Sequence, residues 1–294
     1  MSTSVLYDVP GPRTLRRSRI ASIVSILVIA AGLAWLIFTL AAPRVSANGV
    51  ETPGMFDPSR TDILVIPAVW GAVWRGLVNT LRMAAVAAVF AMAIGVAFSF
   101  ARTASSKWVR VPTTVLLEFF RGMPILLMML FILLVFSTGS FWAGVIALAI
   151  YNGALIGEVL RAGLQALPRG QREAGLAIGL TPLQTRVTIE FPQAFRQMLP
   201  VIIAQMVVLL KDTSLAFVVG YEELLRTVTN MQNFFGNRYL FTLFAMVVVV
   251  YLSVNLLLSW VARLVAKRRG ARPVNIADLP DAGMGGGVAS VLTR

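Results

Sequence analysis

The chain has 294 residues, of which 57% are hydrophobic and only 13% are charged, about half the charged share of an average soluble domain. This composition excludes an ordinary water-soluble protein, and the net charge of +13 reflects basic residues at the ends of apolar runs, where they orient membrane helices. The sequence contains no cysteine, no histidine and no Gly-Lys pair of a Walker A loop. We therefore expect no enzyme, no cofactor, no metal and no nucleic-acid partner, and we assign any ATP hydrolysis to a separate subunit.

The first predicted transmembrane helix covers residues 20–42 and follows a basic segment at residues 1–19, which we expect to be cytoplasmic. The alternative is a cleaved signal peptide, because Val45-Ser46-Ala47 resembles a cleavage site. The apolar run is longer than the roughly 7–15 residues of a signal core, which favours an uncleaved helix.

A polar connection and a five-helix core follow. The connection at residues 43–76 contains several prolines, and we expect Trp70 and Trp74 to anchor it at the membrane interface. The core is predicted over residues 77–265. Its spans lie at residues 77–100, 114–136, 141–160, 197–221 and 239–264. The tail at residues 266–294 is basic and glycine-rich, which indicates a disordered segment.

Positive charge sets the predicted orientation. Lysines and arginines concentrate in the N-terminus, the loop at residues 101–113, the segment at residues 161–196 and the C-terminus. Under the positive-inside rule these segments are cytoplasmic, so both termini lie inside the cell and Ser46 is accessible from outside. No internal repeat is visible, so the inverted-repeat signature of many secondary transporters is missing.

Residues 168–192 are too polar to span lipid, and their pattern predicts a short helix, a turn and a second short helix. We expect Glu173 in the first turn of the first helix, where a carboxylate suits the positive helix end. Gly179 ends that helix or admits another backbone, and Thr181-Pro182 starts the second one. Phe191-Pro192 is expected to end the second helix before the next span. On pattern alone, this element either docks in a partner's groove or lies flat at the membrane interface.

The same segment resembles the cytoplasmic EAA loop of ABC import permeases. The family pattern is Glu-Ala-Ala, three residues, Gly, nine residues, Ile, one residue and Leu-Pro. The matching positions are Glu173, Ala174, Gly175, Gly179, Ile189 and Pro192. Gly175 replaces the second alanine of the pattern, and Phe191 replaces its leucine. The resemblance implies that this set docks onto an ATPase, with Glu173 and Gly179 as the family's contact positions.

Other motifs resemble the polar amino-acid permease family. Residues 118–124 are similar to its Glu-x-x-Arg-Gly-Thr-Pro motif, and residues 211–215 match its Lys-Asp-Thr-Ser-Leu motif. Residues 151–171 are similar to the family's stretch before the EAA loop, so the resemblance covers about residues 70–265. The additional first span resembles the glutamate permeases of actinobacteria.

The resemblance implies an all-α membrane protein with the fold of a type I ABC importer permease, a five-helix core plus one N-terminal transmembrane helix. The implied function is to move a polar amino acid, glutamate or a related one, across the plasma membrane of a bacterium by alternating access. The implied partners are a cytoplasmic ATPase dimer, a second permease chain (identical or a sister), an extracytoplasmic substrate-binding protein and membrane lipid. The alternative function is an ion-coupled secondary amino-acid transporter.

Charged side chains within the third and fifth spans are the candidates for a substrate path. Lys211 and Ser214 share a helix face, so Lys211 either faces a wet cavity and holds a substrate carboxylate or has a structural role. A pair between Lys211 and its neighbour Asp212 would be strained. Glu118 and Arg121 can meet on one face, either as a structural pair or in contact with substrate. The resemblance places the equivalents of Glu118, Lys211 and Asp212 near the central cavity.

Residues 153–157 form a Gly-x-x-x-Gly run, which permits close approach of two membrane helices. The pattern alone allows a contact within the bundle or a contact between two chains. We expect the contact within the bundle.

Overall fold

The computed structural model describes residues 11–45, 49 and 51–269. Ser46 and Ala47 of the possible cleavage site, and the predicted disordered tail from residue 270 onward, lie outside these residues. The described chain is almost entirely helical, with one short antiparallel strand pair, Arg44–Val45 and Glu51–Thr52. The α-helices, named α1 to α10 in chain order, are Pro12–Ala41, Pro67–Arg102, Lys107–Gly122, Ile125–Phe136, Ser140–Ala166, Arg169–Ala177, Pro182–Thr185, Phe191–Asp212, Leu224–Phe235 and Leu240–Arg269.

Five helical stretches of the described chain are long and apolar enough to cross a membrane. They are Arg13–Ala41, Pro67–Arg102, Ser140–Ala166, Pro182–Phe217 and Asn237–Val261. Helices α3 and α4 together pass the same test as a pair bent by 102°. The predicted all-α membrane architecture, with an additional N-terminal helix, is confirmed.

The third span is not the single helix that we predicted over residues 114–136. The helix breaks at Met123, which is extended at φ −82° and ψ 128° and precedes Pro124. A proline has no N–H to donate, and its ring disfavours helical conformation in the residue before it. Helix α3 therefore ends at Gly122 and α4 starts again at Ile125 in a new direction.

An ion pair indicates that the bent pair of helices returns the chain across the bilayer. Arg102, at the end of α2, pairs with Glu158 in the last third of α5. Helices α2 and α5 therefore end on the same side of the membrane, and the chain between them has to return to the other side. With this return through α3 and α4, the described helices would make six crossings, one more than the five uninterrupted stretches alone.

Several helices are longer than their predicted spans. Helix α1 begins at Pro12, and α2 begins at Pro67, so Trp70 and Trp74 belong to a crossing helix and not to a separate interfacial segment. Helix α9 is amphipathic and was not predicted, because its mixed composition is that of an ordinary connection. Apolar content locates the spans, but it underestimates how far each helix continues into the polar boundary.

The described residues from 11 to 73, together with residues 228–247, form one compact unit. Within its described part, the connection after α1 is ordered by charged donors to backbone carbonyls. Arg60 donates to the Arg238 carbonyl at 3.0 Å, and Arg238 donates to the Ser59 carbonyl at 3.0 Å. A polar segment without a core of its own is thus held by hydrogen bonds to charged groups, which are stronger than neutral ones.

Residues 74–227 and 248–269 form the second unit of the described chain. Its buried core is built by side chains of α2, α4, α5 and α8. Helix α5 is the central element, since 67% of its apolar stretch is buried against 33% for α2. The remaining faces of the crossing helices expose large apolar side chains, as lipid-facing helices do.

Glycines bring α2 and α5 into close contact. A Cβ atom on Gly153 would lie 2.7 Å from Ile94 Cγ2, and one on Gly157 would lie 3.0 Å from Phe98 Cβ. Such distances leave no room for a side chain. The expectation that the Gly-x-x-x-Gly run packs within the bundle is confirmed.

Candidate functional site

The segment between α5 and α8 has the predicted order of a short helix, a turn and a second helix. Helix α6 follows Pro168, and its end is marked by Gly179 at φ 88°, a left-handed conformation that favours glycine. No described atom lies within 4 Å of a Cβ built on Gly179, so this glycine ends the helix and is not packed against another described segment. Thr181 then caps α7 through reciprocal hydrogen bonds with Gln184, as expected of an N-cap.

Two of the predicted docking residues lie in the seam between these helices. A Cβ on Gly175 would lie 2.6 Å from Thr185 Cγ2 and 3.0 Å from Ile189 Cδ1. Gly175 is buried, Thr185 is fully buried, and Ile189 is half-buried. The close seam explains why glycine stands at the position where the resembling pattern has alanine. Gly175 and Ile189 therefore shape the element from inside.

The outer surface of the element carries the other docking candidates and an apolar patch. Glu173, Ala174, Gly179 and Pro192 are exposed. The patch, named here the outer apolar face, consists of exposed side chains at Leu176, Ile178, Leu183 and Val187. Ile178 is 75% exposed and Leu183 is 65% exposed. Large apolar side chains exposed on a polar element are typical of a surface that contacts a protein partner or the membrane.

Two local predictions for this segment are wrong. Helix α6 begins at Arg169, so Glu173 is its fifth residue and lies beyond the first turn. The chain also does not end its helix at Phe191-Pro192. A π-helical turn at Arg186–Glu190 continues into α8, and the Phe191 N–H donates to the Arg186 carbonyl. The wider turn accommodates Pro192, which cannot donate to the carbonyl one turn earlier.

Glu118 and Arg121 meet on one face of α3, at 3.1 Å between Oε1 and Nη1. Arg102 Nη2 from α2 approaches the same Glu118 carboxylate at 3.6 Å. Because the Glu118 side chain is 54% exposed, the pair itself contributes little stability. The predicted Glu118–Arg121 pair therefore lies next to a larger ion cluster, to which Arg102 connects it.

That cluster is centred on Glu158, which the sequence reasoning missed. Its carboxylate pairs with Arg102 of α2 and with Arg161, whose Nη2 lies 2.6 Å from Oε1. Arg161 also donates to Gln165 Oε1 at 2.6 Å. The signal was present, since Glu158 and Arg161 are three residues apart at the end of an apolar run. These side chains join the same ends of α2, α3 and α5.

Lys211, Asp212 and Ser214 lie where α8 changes into a 3-10 turn at Thr213–Phe217. The Lys211 side chain is exposed, Asp212 is half-buried, and neither forms an ion pair with any described residue. Ser214 Oγ donates to the Lys211 carbonyl at 3.0 Å, so the predicted shared face is present. The hydrogen bonds and ion pairs of the described residues do not join this group to Glu118 or Arg121.

The end of α8 is held by a second helix. The Tyr251 hydroxyl of α10 is shared between the carbonyls of Leu210 and Lys211, at 3.0 and 2.9 Å. Thr213 Oγ1 donates to the Leu210 carbonyl at 2.6 Å. The carbonyls that a helix end leaves free are thus satisfied by side chains, which fixes the backbone beneath Lys211.

Two buried polar residues were not singled out from the sequence. Asn152 of α5 is fully buried, and its Oδ1 accepts from Gln205 Nε2 of α8 at 2.8 Å. Glu223 is also fully buried, and its carboxylate accepts the backbone N–H groups of Leu225 and Arg226 at 2.8 and 2.7 Å. Burial raises the pKa of Glu223 to about 7, against the lowering effect of these two hydrogen bonds.

Comparison with protein families gives one match. Residues 89–270 match the family described as "Binding-protein-dependent transport system inner membrane component". This match covers the α2–α5 bundle from the middle of α2, the helix–turn–helix element and all of α8 to α10.

Curated relatives carry the names of amino-acid permeases. The glutamate transport system permease protein GluD of Corynebacterium glutamicum is 33% identical over 234 residues, which are 75% of this chain and 82% of GluD. The glutamine transport system permease protein GlnP of Escherichia coli K12 is 32% identical over 68% of this chain and 96% of GlnP. The probable glutamine ABC transporter permease protein GlnP of Bacillus subtilis is 33% identical over 65% of this chain.

Solved structures agree with this fold. A chain from the crystal structure of an amino acid ABC transporter with histidines superposes at a TM-score of 0.63 with 28% identity, over 70% of this chain and 98% of that one. A chain of the MetNI methionine ABC transporter in an inward-facing conformation gives a TM-score of 0.58 at 18% identity, which shows the fold alone.

Proposed function

Because this chain belongs to the family of binding-protein-dependent transport system inner membrane components, and is the permease subunit of an ABC amino-acid importer, we propose that it carries glutamate or a closely related polar amino acid. The glutamate name of the Corynebacterium relative supports this substrate class, and the glutamine names of the others define its nearest competitor. An exposed lysine within a crossing helix fits a substrate that carries a carboxylate.

The observation that carries the mechanism is the exposed helix–turn–helix element between α5 and α8. We propose that its outer apolar face docks into a separate ATPase subunit and that ATP-driven closure of an ATPase dimer switches the permease between its two accessible states. Glu173, Ala174, Gly179 and Pro192 would contact the ATPase, whereas Gly175 and Ile189 would preserve the shape of the element. A helix lying on a surface with apolar anchors is a common form of groove recognition.

Glu173→Lys tests the docking proposal. A reversed charge in the middle of the docking surface should abolish co-purification of the ATPase, while the permease still inserts into the membrane. Glu222→Lys is the matched control, since Glu222 is also exposed and lies outside the helix–turn–helix element, just before α9. Undiminished ATPase recovery with Glu173→Lys would refute the docking role.

An uptake competition assay tests the substrate. Cells or vesicles with the complete importer would be loaded with radiolabelled glutamate in the presence of an excess of each unlabelled amino acid. Glutamate and its nearest relatives should suppress the signal most, and uptake should require ATP. Uptake that persists without ATP and follows an ion gradient would favour the secondary-transporter alternative.

We further propose that two permease chains, identical or sister chains, line one path and that an extracytoplasmic binding protein delivers the substrate. The family name itself refers to dependence on a binding protein. In this arrangement the helix–turn–helix element and both termini are cytoplasmic, in the orientation that the distribution of basic residues predicts.

A further inference from the structure

A polar cavity of about 670 Å³ opens beside the helix–turn–helix element. Its walls come from the end of α2, the first turn of α3, the end of α5, helix α6 and the π-helical turn. Three of these elements belong to crossing helices at their polar ends. The cavity therefore lies at the level where the bilayer meets water.

The charges around the cavity are strongly unbalanced. Five arginines against two glutamates leave a formal excess of three positive charges. Arg186 pairs with Glu190 at 3.7 Å, and Arg102 is directed to glutamates outside the cavity lining.

Three guanidinium groups remain without an acidic partner. Arg110, Arg169 and Arg172 line the cavity, are exposed and form no ion pair with any described residue. Glu173 is the one opposing charge in the lining that is not engaged in such a pair within the described chain. Three cations from two separate elements, set around a space of this size, form a positively charged surface that suits an anion.

The neighbouring surface points to the bilayer as the source of that anion. Trp108 lies two residues before the cavity residue Arg110 on α3, is 90% exposed and follows Lys107. Tryptophan and basic residues together are typical of helices at headgroup depth. Arginine binds phosphate through planar, bidentate hydrogen bonds, and basic pockets between helices at this level accept lipid headgroups.

We propose that this cavity is a binding site for a phosphate group, held by Arg110, Arg169 and Arg172, and that the phosphate belongs to the headgroup of an anionic phospholipid. The site touches α6 through Arg169 and Arg172 and the crossing helices through Arg110. A bound headgroup therefore links the element that we assign to ATPase docking with the membrane-embedded bundle. The site is separate from the Lys211 group and does not depend on which amino acid is transported.

The test compares lipid retention by the full-length chain, purified with the subunits that accompany it in its own cells. Nanodiscs of phosphatidylcholine with a minor share of phosphatidylglycerol would supply the ligand, and native mass spectrometry would count bound phosphatidylglycerol. Replacing the three arginines with glutamine should weaken retention about tenfold or more, because charge-assisted hydrogen bonds are lost. Arg196→Gln, an exposed arginine outside the cavity, should retain the lipid.

Two further experiments distinguish a lipid headgroup from free phosphate and control for misfolding of the variant. The triple arginine-to-lysine variant keeps the charge and should retain more lipid than the glutamine variant. In phosphatidylcholine alone, millimolar inorganic phosphate should raise the unfolding temperature of the wild type if the site takes free phosphate. If the glutamine variant loses phosphatidylglycerol and inorganic phosphate does not change the unfolding temperature, the ligand is the lipid headgroup. If the variant keeps phosphatidylglycerol and inorganic phosphate raises the unfolding temperature of the wild type, the ligand is free phosphate. Equal retention by all variants together with no phosphate effect would overturn the site, as would equal loss in Arg196→Gln.

Discussion

Lys211 carries a charge within an apolar helix, and no ion-pair partner among the described residues offsets its desolvation cost. A charged ammonium group in an apolar helix costs several kcal/mol unless a counter-charge or water compensates it. The described residues provide no ion-pair partner, yet the side chain is exposed and the backbone beneath it is fixed by Tyr251. An exposed, unpaired lysine on a fixed backbone is suited to bind a mobile carboxylate.

Lys211→Ala should reduce substrate uptake about tenfold or more, because one charge-assisted hydrogen bond to the substrate is lost. Assembly with the other subunits should be unchanged. Lys107→Ala is the matched control, as Lys107 is exposed at the start of α3. Failure of the Lys211→Ala variant to assemble would instead give Lys211 a structural role.

Glu223 makes stability depend on pH. Because burial raises the folded-state pKa from 4.5 to about 7, the folded protein binds the proton more tightly than the unfolded chain does. The contribution of Glu223 to stability is then fully present below about pH 4.5 and is lost as the pH rises through about 7. At ~1.4 kcal/mol per pKa unit the loss is at most on the order of 3 kcal/mol.

The measurement is the unfolding temperature of the detergent-solubilised protein between about pH 5 and pH 8, followed by tryptophan fluorescence. The wild type should lose several degrees across this range. Glu223→Gln removes the titrating group, keeps an acceptor for the α9 backbone and should flatten the profile. Equal slopes in both proteins would show that Glu223 does not titrate in this range.

At the scale of elements, the contact between α2 and α5 depends on glycines, which have no side chain to keep the two backbones apart. Close backbone approach replaces the hydrophobic effect as the attraction between membrane helices. The ion cluster around Glu158 fixes the ends of the same two helices with Arg102. Packing along the helices and charge pairing at their ends therefore act on one interface.

Gly153→Ala should destabilise the folded protein by about 1–3 kcal/mol, because its Cβ would meet Ile94 at 2.7 Å. Gly32→Ala is the matched control, since Gly32 lies inside helix α1 with no described atom within 4 Å of its Cβ position. There, helix propensity predicts no loss and a gain of up to about 1 kcal/mol. Thermal unfolding of both variants in one detergent checks the comparison, and equal unfolding temperatures would contradict the packing role.

The sequence predicts the elements that depend on local chemistry. Length and apolarity identify every crossing, and Thr181-Pro182 correctly marks the start of α7. Features that depend on tertiary packing were harder to predict from the sequence. The break before Pro124 lies inside the span predicted over residues 114–136 as one helix. Phe191-Pro192 was expected to end a helix, although a π-helical turn carries the helix through it. Gly175 and Ile189 match a family pattern, but only the packed structure shows that they face each other.

For the whole molecule, the number of crossings determines how the ends are arranged. Five uninterrupted stretches alone would place the termini on opposite sides of the membrane. The Arg102–Glu158 pair indicates that α3 and α4 return the chain, which would raise the number of crossings to six. An even number would place both termini on one side, and we propose from the positive-inside rule that this side is cytoplasmic.

Single cysteines can test this orientation, because the natural sequence contains none. Ser59→Cys lies in the connection between α1 and α2, is exposed and should react with a membrane-impermeant maleimide on intact cells. Ser105→Cys, exposed between α2 and α3, should react only after the cells are opened. Because only the crossing helix α2 lies between these two positions, they are on opposite sides of the membrane, and only one of them should be labelled on intact cells. Labelling of Ser105→Cys on intact cells would place the helix–turn–helix element outside the cell, where no ATPase could bind it.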